Sequence, residues 1–263
     1  MEIKFTTNDY LLAWYLLFKP SFYPEIDDLK ANIKKNYRDL VKTIQKDNIE
    51  ILKYNEDFIP TDDTIYDTVF ETDIFLKIKK EVREECHYLR DVWELNKKKI
   101  RDTFEDIIKY RIEDKFEIIV VHPKLNVTDF ILNSSHNIAW GRKRSGEDID
   151  TLSKILSAVL RYDIGKMPKE EVIATILELA LLNEMETRIL KTSTYNKGVS
   201  HNNYIKKRLY PYWLMYLGAD QEEMLNYMLR DKIVFQTEEY PIIEKFKKYN
   251  LIEFIKYLIE NNL

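Results

Sequence analysis

Hydrophobic and polar positions along the chain follow two periods, and most of the length follows the helical one. Ile3 and Phe5 alternate with Glu2 and Lys4, which predicts a short strand over Met1–Phe5. Tyr10–Phe18 is an apolar, aromatic run, read as a buried helix. From Glu25 to about Tyr54 the apolar residues Ile26, Leu29, Ile33, Tyr37, Leu40, Val41 and Ile44 recur at helical spacing. Asn55–Asp63, with Pro60, reads as a loop whose end, Thr61, Asp62 or Asp63, can cap the next helix. Residues 64–113 are helical throughout, as two or more helices with stripes at Tyr66, Val69, Phe70, Ile74, Ile78 and at Leu89, Val92, Trp93, Leu95, Ile100, Phe104, Ile107.

The period then changes. Phe116–Pro123 is β-branched and ends at a proline, so it reads as a strand. Val127–Leu132 and Asn137–Gly141 read as two more, and the N-terminal strand is expected to join them in a small sheet. Helical patterning resumes over Ile149–Tyr162, stops through Gly165 and Pro168, and restarts in Lys169–Leu190. Thr192–Asn203 is polar and reads as a loop, and four short helices finish the chain, at about 204–217, 220–231, 239–247 and 250–261. The pattern predicts an α+β fold, mainly α-helical. It is read as one domain over 1–263, with a helical part to about 113 and the sheet and its helices from 116 on.

Composition supports that class. There are only 5 glycines and 7 prolines in 263 residues, so helix breakers are scarce. Charged residues make up 33% but nearly balance, at a net −4, which offers no electrostatic case for nucleic acid or an anionic membrane. The single cysteine, Cys86, excludes an internal disulfide and a thiolate zinc cluster and suits a reducing cytoplasm. No segment approaches the apolar length of a membrane span, and the first residues, with Glu2, do not read as a signal peptide. Glycine is too scarce for a phosphate-cradling loop, and no nucleophile-elbow motif is present.

The most informative residue is Glu178. It sits inside the apolar run Val172–Leu182, on a helix with Ala174, Thr175, Leu181 and Leu182 as its i±3 and i±4 neighbours. A carboxylate there must be paired, protonated or bound to something. Three readings stay open: an acid paired with a Lys, Arg or Tyr of another helix, the relic of a metal site, or a working ligand or base. Glu184 and Arg188 fall at i,i+4 and predict a surface pair, with Glu186 also at the surface.

The order strand, Asn137-Ile-Ala-Trp140-Gly141, helix, then Ile176-Leu-Glu178-Leu and Asn183-Glu184 with Arg188 resembles bacterial zincin-like metallopeptidases of the gluzincin type, over roughly residues 116–190. The resemblance implies a zincin-like small sheet with packed helices. In that group an edge strand ending near a Trp-Gly lies over the cleft. The next helix carries His-Glu-x-x-His, and a later helix supplies a Glu ligand. Here the histidines are missing. The preferred register puts Leu156-Ser157-Ala158-Val159-Leu160 at the motif, with Leu156 and Leu160 at the ligand positions and Ser157 at the general base; a register three residues earlier, Ser153–Ser157, has no ligands either. Glu178 matches the third ligand and Glu184 a further acid of that helix. The resemblance therefore implies a dismantled metal site, with no metal or cofactor and no catalytic residue. The chain is then a cytosolic binding module acting on a protein or peptide, with Trp140, Arg142, Glu178 and Glu184 lining the former cleft. Two alternatives are a metal-dependent hydrolase with a displaced ligand set, Glu178 plus loop histidines, and a helical structural protein without cleft chemistry.

Other candidates carry less. His87, His122, His136 and His201 show no metal-motif spacing; Glu84 and His87 form one Glu-x-x-His half-site with no second copy. Gly141-Arg142-Lys-Arg-Ser-Gly146 is a short basic loop, read as a solvated turn or an anion contact. Tyr204–Tyr216 interleaves aromatic and basic residues and is read as a core helix rather than a stacking platform.

Overall fold

A computed structural model describes residues 1–19, 24–42, 64–122, 127–132, 136–141, 147–192, 195, 203–231 and 243–263. The chain packs as two compact units: Met1–Leu95 with Glu113–Ser145, and Asn96–Ile112 with Gly146–Leu263.

The first unit is built on a four-stranded sheet of β1 (Glu2–Thr6), β2 (Lys115–Val120), β3 (Val127–Leu132) and β4 (Asn137–Gly141), in the order β1-β2-β4-β3. β1, β2 and β4 are parallel, and β3 runs antiparallel along β4. Register follows the apolar pattern: Ile3 pairs with Phe116 and Phe5 with Ile118, all four buried. Ile118, Ile119 and Val120 are buried in succession, and so are all five residues of β4. Burial without alternation marks strands covered on both faces, the usual state of parallel strands. The strand that ends in Trp140-Gly141 is inside the sheet, and the edge beside it belongs to β3.

Helices α1 (Asp9–Phe18), α2 (Pro24–Asn36) and α3 (Thr64–Phe70) belong to this unit. Asn8 caps α1, its side chain accepting from the Leu11 amide at 2.8 Å. Residues Leu11–Leu17 are buried all round, as a central helix must be. The expected helix from 25 to 54 divides: α2 ends at Asn36, Tyr37 forms a bend, helical residues resume at 38–42, and the remainder lies outside the described residues. The long α4 (Asp73–Ile108) supplies both units, to Leu95 in the first and from Asn96 in the second. In the first unit its Arg90 donates to the Phe5 carbonyl of β1 at 3.1 Å.

The second unit is all helical among its described residues. It contains the end of α4, α5 (Asp148–Ile164) and α6 (Glu170–Leu177). α6 runs on without a break into a π-helical stretch (Glu178–Met185) and a last helical turn, α7 (Glu186–Leu190). Gly165, at φ +71°, ends α5 in a conformation that glycine adopts without a Cβ penalty. α8 (Asn203–Leu217), α9 (Gln221–Arg230), a 3-10 turn (Glu244–Lys248) and α10 (Leu251–Glu260) complete the unit. Asp220 and Asn250 begin α9 and α10 with reciprocal capping boxes. The core is aromatic: Trp213 stacks on Tyr216 and Tyr216 on Phe254, with centroids 5.1 and 4.8 Å apart. The Tyr216 hydroxyl donates to the Ile107 carbonyl at 2.6 Å, tying α8 to the end of α4. No helix among the described residues is long and apolar enough to cross a membrane. The mainly helical α+β class read from the pattern is the class observed.

Candidate functional site

The helix that the resemblance assigns to the metal motif is α5, which packs against the π-helical stretch and α6. Leu156 and Leu160 lie one turn apart and are fully buried, and Ser157 between them is half-buried. Neither leucine offers an atom that can bind a metal. Both give their methyl groups to the core of the second unit.

Glu178 opens the π-helical stretch. There the helix is wound wider than α, and the amide of Glu186 reaches back five residues to the Leu181 carbonyl. Glu178 is 7% exposed, and its Oε1 accepts from Lys206 Nζ of α8 at 2.8 Å. Lys206 is itself 5% exposed. Its ammonium also donates to the Tyr195 carbonyl at 2.6 Å and lies 4.7 Å from the centre of the Tyr195 ring. Burial lowers the Lys206 pKa, and the bond to Glu178 opposes that shift. Of the three readings open for Glu178, the acid paired with a cation of another helix is the one observed. A zinc ion does not fit this residue set: two of the three positions carry hydrocarbon, and an ammonium already occupies the third.

Beside the pair is a cavity of about 330 Å³. Tyr195, Tyr210, Trp213 and Tyr227 provide its aromatic wall, and Arg188 and Arg230 its cationic groups. Each arginine is held by acids. Arg188 Nε donates to Glu184 at 2.6 Å, and its Nη1 to Asp106 of α4. Arg230 grips Asp231 with Nε and Nη2, at 2.9 and 2.8 Å. Asp231 also accepts from the Tyr210 hydroxyl, at Oδ2 and 2.5 Å. Burial first, then the bond to Asp231, pushes the Tyr210 phenol far above its ordinary pKa, so it remains a donor. The Tyr195 ring packs on Tyr210 with centroids 4.4 Å apart. A continuous chain of contacts therefore runs from Glu178 through Lys206, Tyr195, Tyr210 and Asp231 to Arg230 at the cavity wall.

The remaining expected residues are distributed differently. Glu184 lines the cavity, in the expected i,i+4 pair with Arg188. Glu186 is fully buried, not a surface acid; it shares the inward face of its helix with Leu179, Asn183 and Ile189. Trp140 is 2% exposed and serves as a core side chain of the first unit. Arg142 and the rest of the basic loop, together with His201, lie outside the described residues. In the first unit His122 is buried with Nε2 2.7 Å from Glu81 of α4, and His136 lies 3.4 Å from Asp114. His87 and Glu84 are exposed on α4. Among the described residues no group of three or more His, Cys, Asp or Glu side chains is placed to hold a metal ion. Cys86 is buried, and burial raises its thiol pKa.

Sequence reasoning missed Lys206, Tyr195, Tyr210, Arg230 and Asp231. One signal was available. Lys206, Leu209, Tyr210 and Trp213 fall at i, i+3, i+4 and i+7, so a lysine stands in the buried stripe of its helix and requires an acid. Compared with known proteins, the chain matches no family model, no curated protein and no solved structure.

Proposed function

We propose that this chain is a zincin-like protein in which packing and an internal ion pair have replaced the metal, and that it works as a binding protein in the cytosol. The observation that carries the reading is the Lys206 ammonium seated on Glu178, with both groups buried. A lysine here supplies the positive charge that a ligand-type glutamate would otherwise need from a metal. The filled positions at Leu156 and Leu160 support the same reading. The lone buried thiol suits a reducing compartment. Recognition is assigned to the cavity beside the π-helical stretch, where Glu184 and Arg188 stand, and not to an open peptide cleft around Glu178. Elemental mass spectrometry on chelator-free protein, followed by calorimetric titration with zinc, tests the proposal. The expected result is no bound zinc and no heat of specific binding. About one zinc per chain, the stoichiometry of a structural or catalytic site, would overturn it.

A further inference from the structure

The cavity in the second unit has a donor pattern and a charge balance that together select a ligand. Among the described residues, both arginines lining it have one amino group without a bond: Arg188 uses Nε and Nη1, leaving Nη2, and Arg230 uses Nε and Nη2, leaving Nη1. The hydroxyl of Tyr195, a residue of the same lining, is buried with no hydrogen-bond partner among the described residues. These groups present donors and so favour a ligand that accepts. An anion gains little, because the lining acids Glu184 and Glu223 balance the two guanidinium groups, which Asp106 and Asp231 also pair. A cation is disfavoured too, since these carboxylates are engaged by the arginines or, for Glu223, by the helix cap, and the guanidinium groups left open only donate. The remaining class is a neutral acceptor. Its shape follows from the wall. Arg230 lies 4.8 Å from the ring centre of the exposed Tyr227, and Tyr195 and Tyr210 add further ring surface. A volume of about 330 Å³ is small for a ligand pocket, which limits the occupant to one or two rings.

We propose that this cavity binds a small aromatic carboxamide, its carbonyl accepting from the unused guanidinium amino groups and its ring lying against the tyrosines. The inference rests on the reading of the chain as a binding protein. Its test is a charge series on one ring: benzamide, benzoate and benzamidine, each titrated into the full chain by ligand-observed nuclear magnetic resonance, with zinc titrated separately. Benzamide is expected to bind at millimolar concentration or below, and benzoate and benzamidine at least about tenfold more weakly. Two variants locate the site. Arg230→Lys keeps the charge but removes the planar fork, and Tyr195→Phe removes a hydroxyl that has no partner among the described residues. Each is expected to weaken benzamide about tenfold, the worth of one such hydrogen bond. Failure of benzamide to bind, benzoate binding as well as benzamide, or both variants binding like the parent would overturn the inference. Zinc binding by the parent would instead overturn the reading it rests on, and the two failures are told apart by which titrant responds.

Discussion

Replacing Lys206 with methionine removes the ammonium while keeping an unbranched stem of similar length, so packing changes little and the ion pair is what is lost. Glu178 is then left in the core with its partner gone. Breaking a buried pair from one side costs about 3–5 kcal/mol, because the remaining buried charge loses its paired ammonium. The lost bond to the Tyr195 carbonyl adds to the loss. Replacing both members with apolar residues, as in Glu178→Leu with Lys206→Met, removes the charge as well as the partner. That exchange is expected to be neutral or stabilising by up to about 4 kcal/mol. The double-mutant cycle therefore has a coupling energy of about 2 kcal/mol or more. Urea unfolding followed by far-ultraviolet circular dichroism at pH 7 measures it. A Lys206→Met cost below about 1 kcal/mol, or single-variant effects that simply add, would refute the assignment of these residues as one buried unit.

Other expectations concern pH, thiol chemistry and one core bond. Tyr15, Tyr110, Tyr195, Tyr210 and Tyr216 all have phenols raised well above the ordinary 10.0, each mainly by burial. Their folded values exceed the unfolded one, so their contribution is complete below pH 10 and declines above it, by about 1.4 kcal/mol per pH unit for each group. Stability measured in urea should fall steeply between pH 10 and 11; a flat profile there would contradict their burial. In Glu178→Gln the lowered Lys206 loses the partner that raised it, so the unfolded chain binds the extra proton. That variant should gain stability as pH rises from 7 towards 10, before the tyrosine loss sets in, and a falling profile over that window would contradict the pairing. Cys86 should resist a thiol reagent in the native protein and react fully in denaturant, and rapid native labelling would place it at the surface. Tyr216→Phe should cost about 1–3 kcal/mol, since it leaves the buried Ile107 carbonyl without its donor; no measurable loss in urea would contradict that bond.

Local pattern made the elements legible. Alternation at Ile3 and Phe5 marked β1, and apolar spacing marked α5, α8, α9 and α10 close to their observed bounds, while the helix expected at 239–247 is a 3-10 turn over Glu244–Lys248 among the described residues. Strand order was not legible, because which strand takes the edge depends on how the chain crosses the sheet; β4 carries the Trp-Gly ending yet lies inside. The π-helical stretch was also hidden. A run that is apolar all round has no polar face to report the winding, and the pairing expected near Arg188 hid that Glu186 lies on the inward face, with Leu179 and Asn183. At the site, Glu178 was visible as a charge in an apolar run. Its partner lies 28 residues away on α8, and only the tertiary fold brings the two helices together. The cavity was invisible for the same reason, since its wall draws on the π-helical stretch, α8 and α9, with Tyr195 from the intervening segment.

We propose that Leu156, Leu160 and the Lys206–Glu178 pair have taken the place of a zinc site. The most direct test is zinc binding by Leu156→His/Leu160→His/Lys206→Met, measured beside the parent, with circular dichroism to verify that the variant is folded. The account predicts that the variant takes up about one zinc per chain, through two imidazoles and the released Glu178, while the parent takes up none. A folded variant without zinc, or a parent that binds it equally well, would contradict the account.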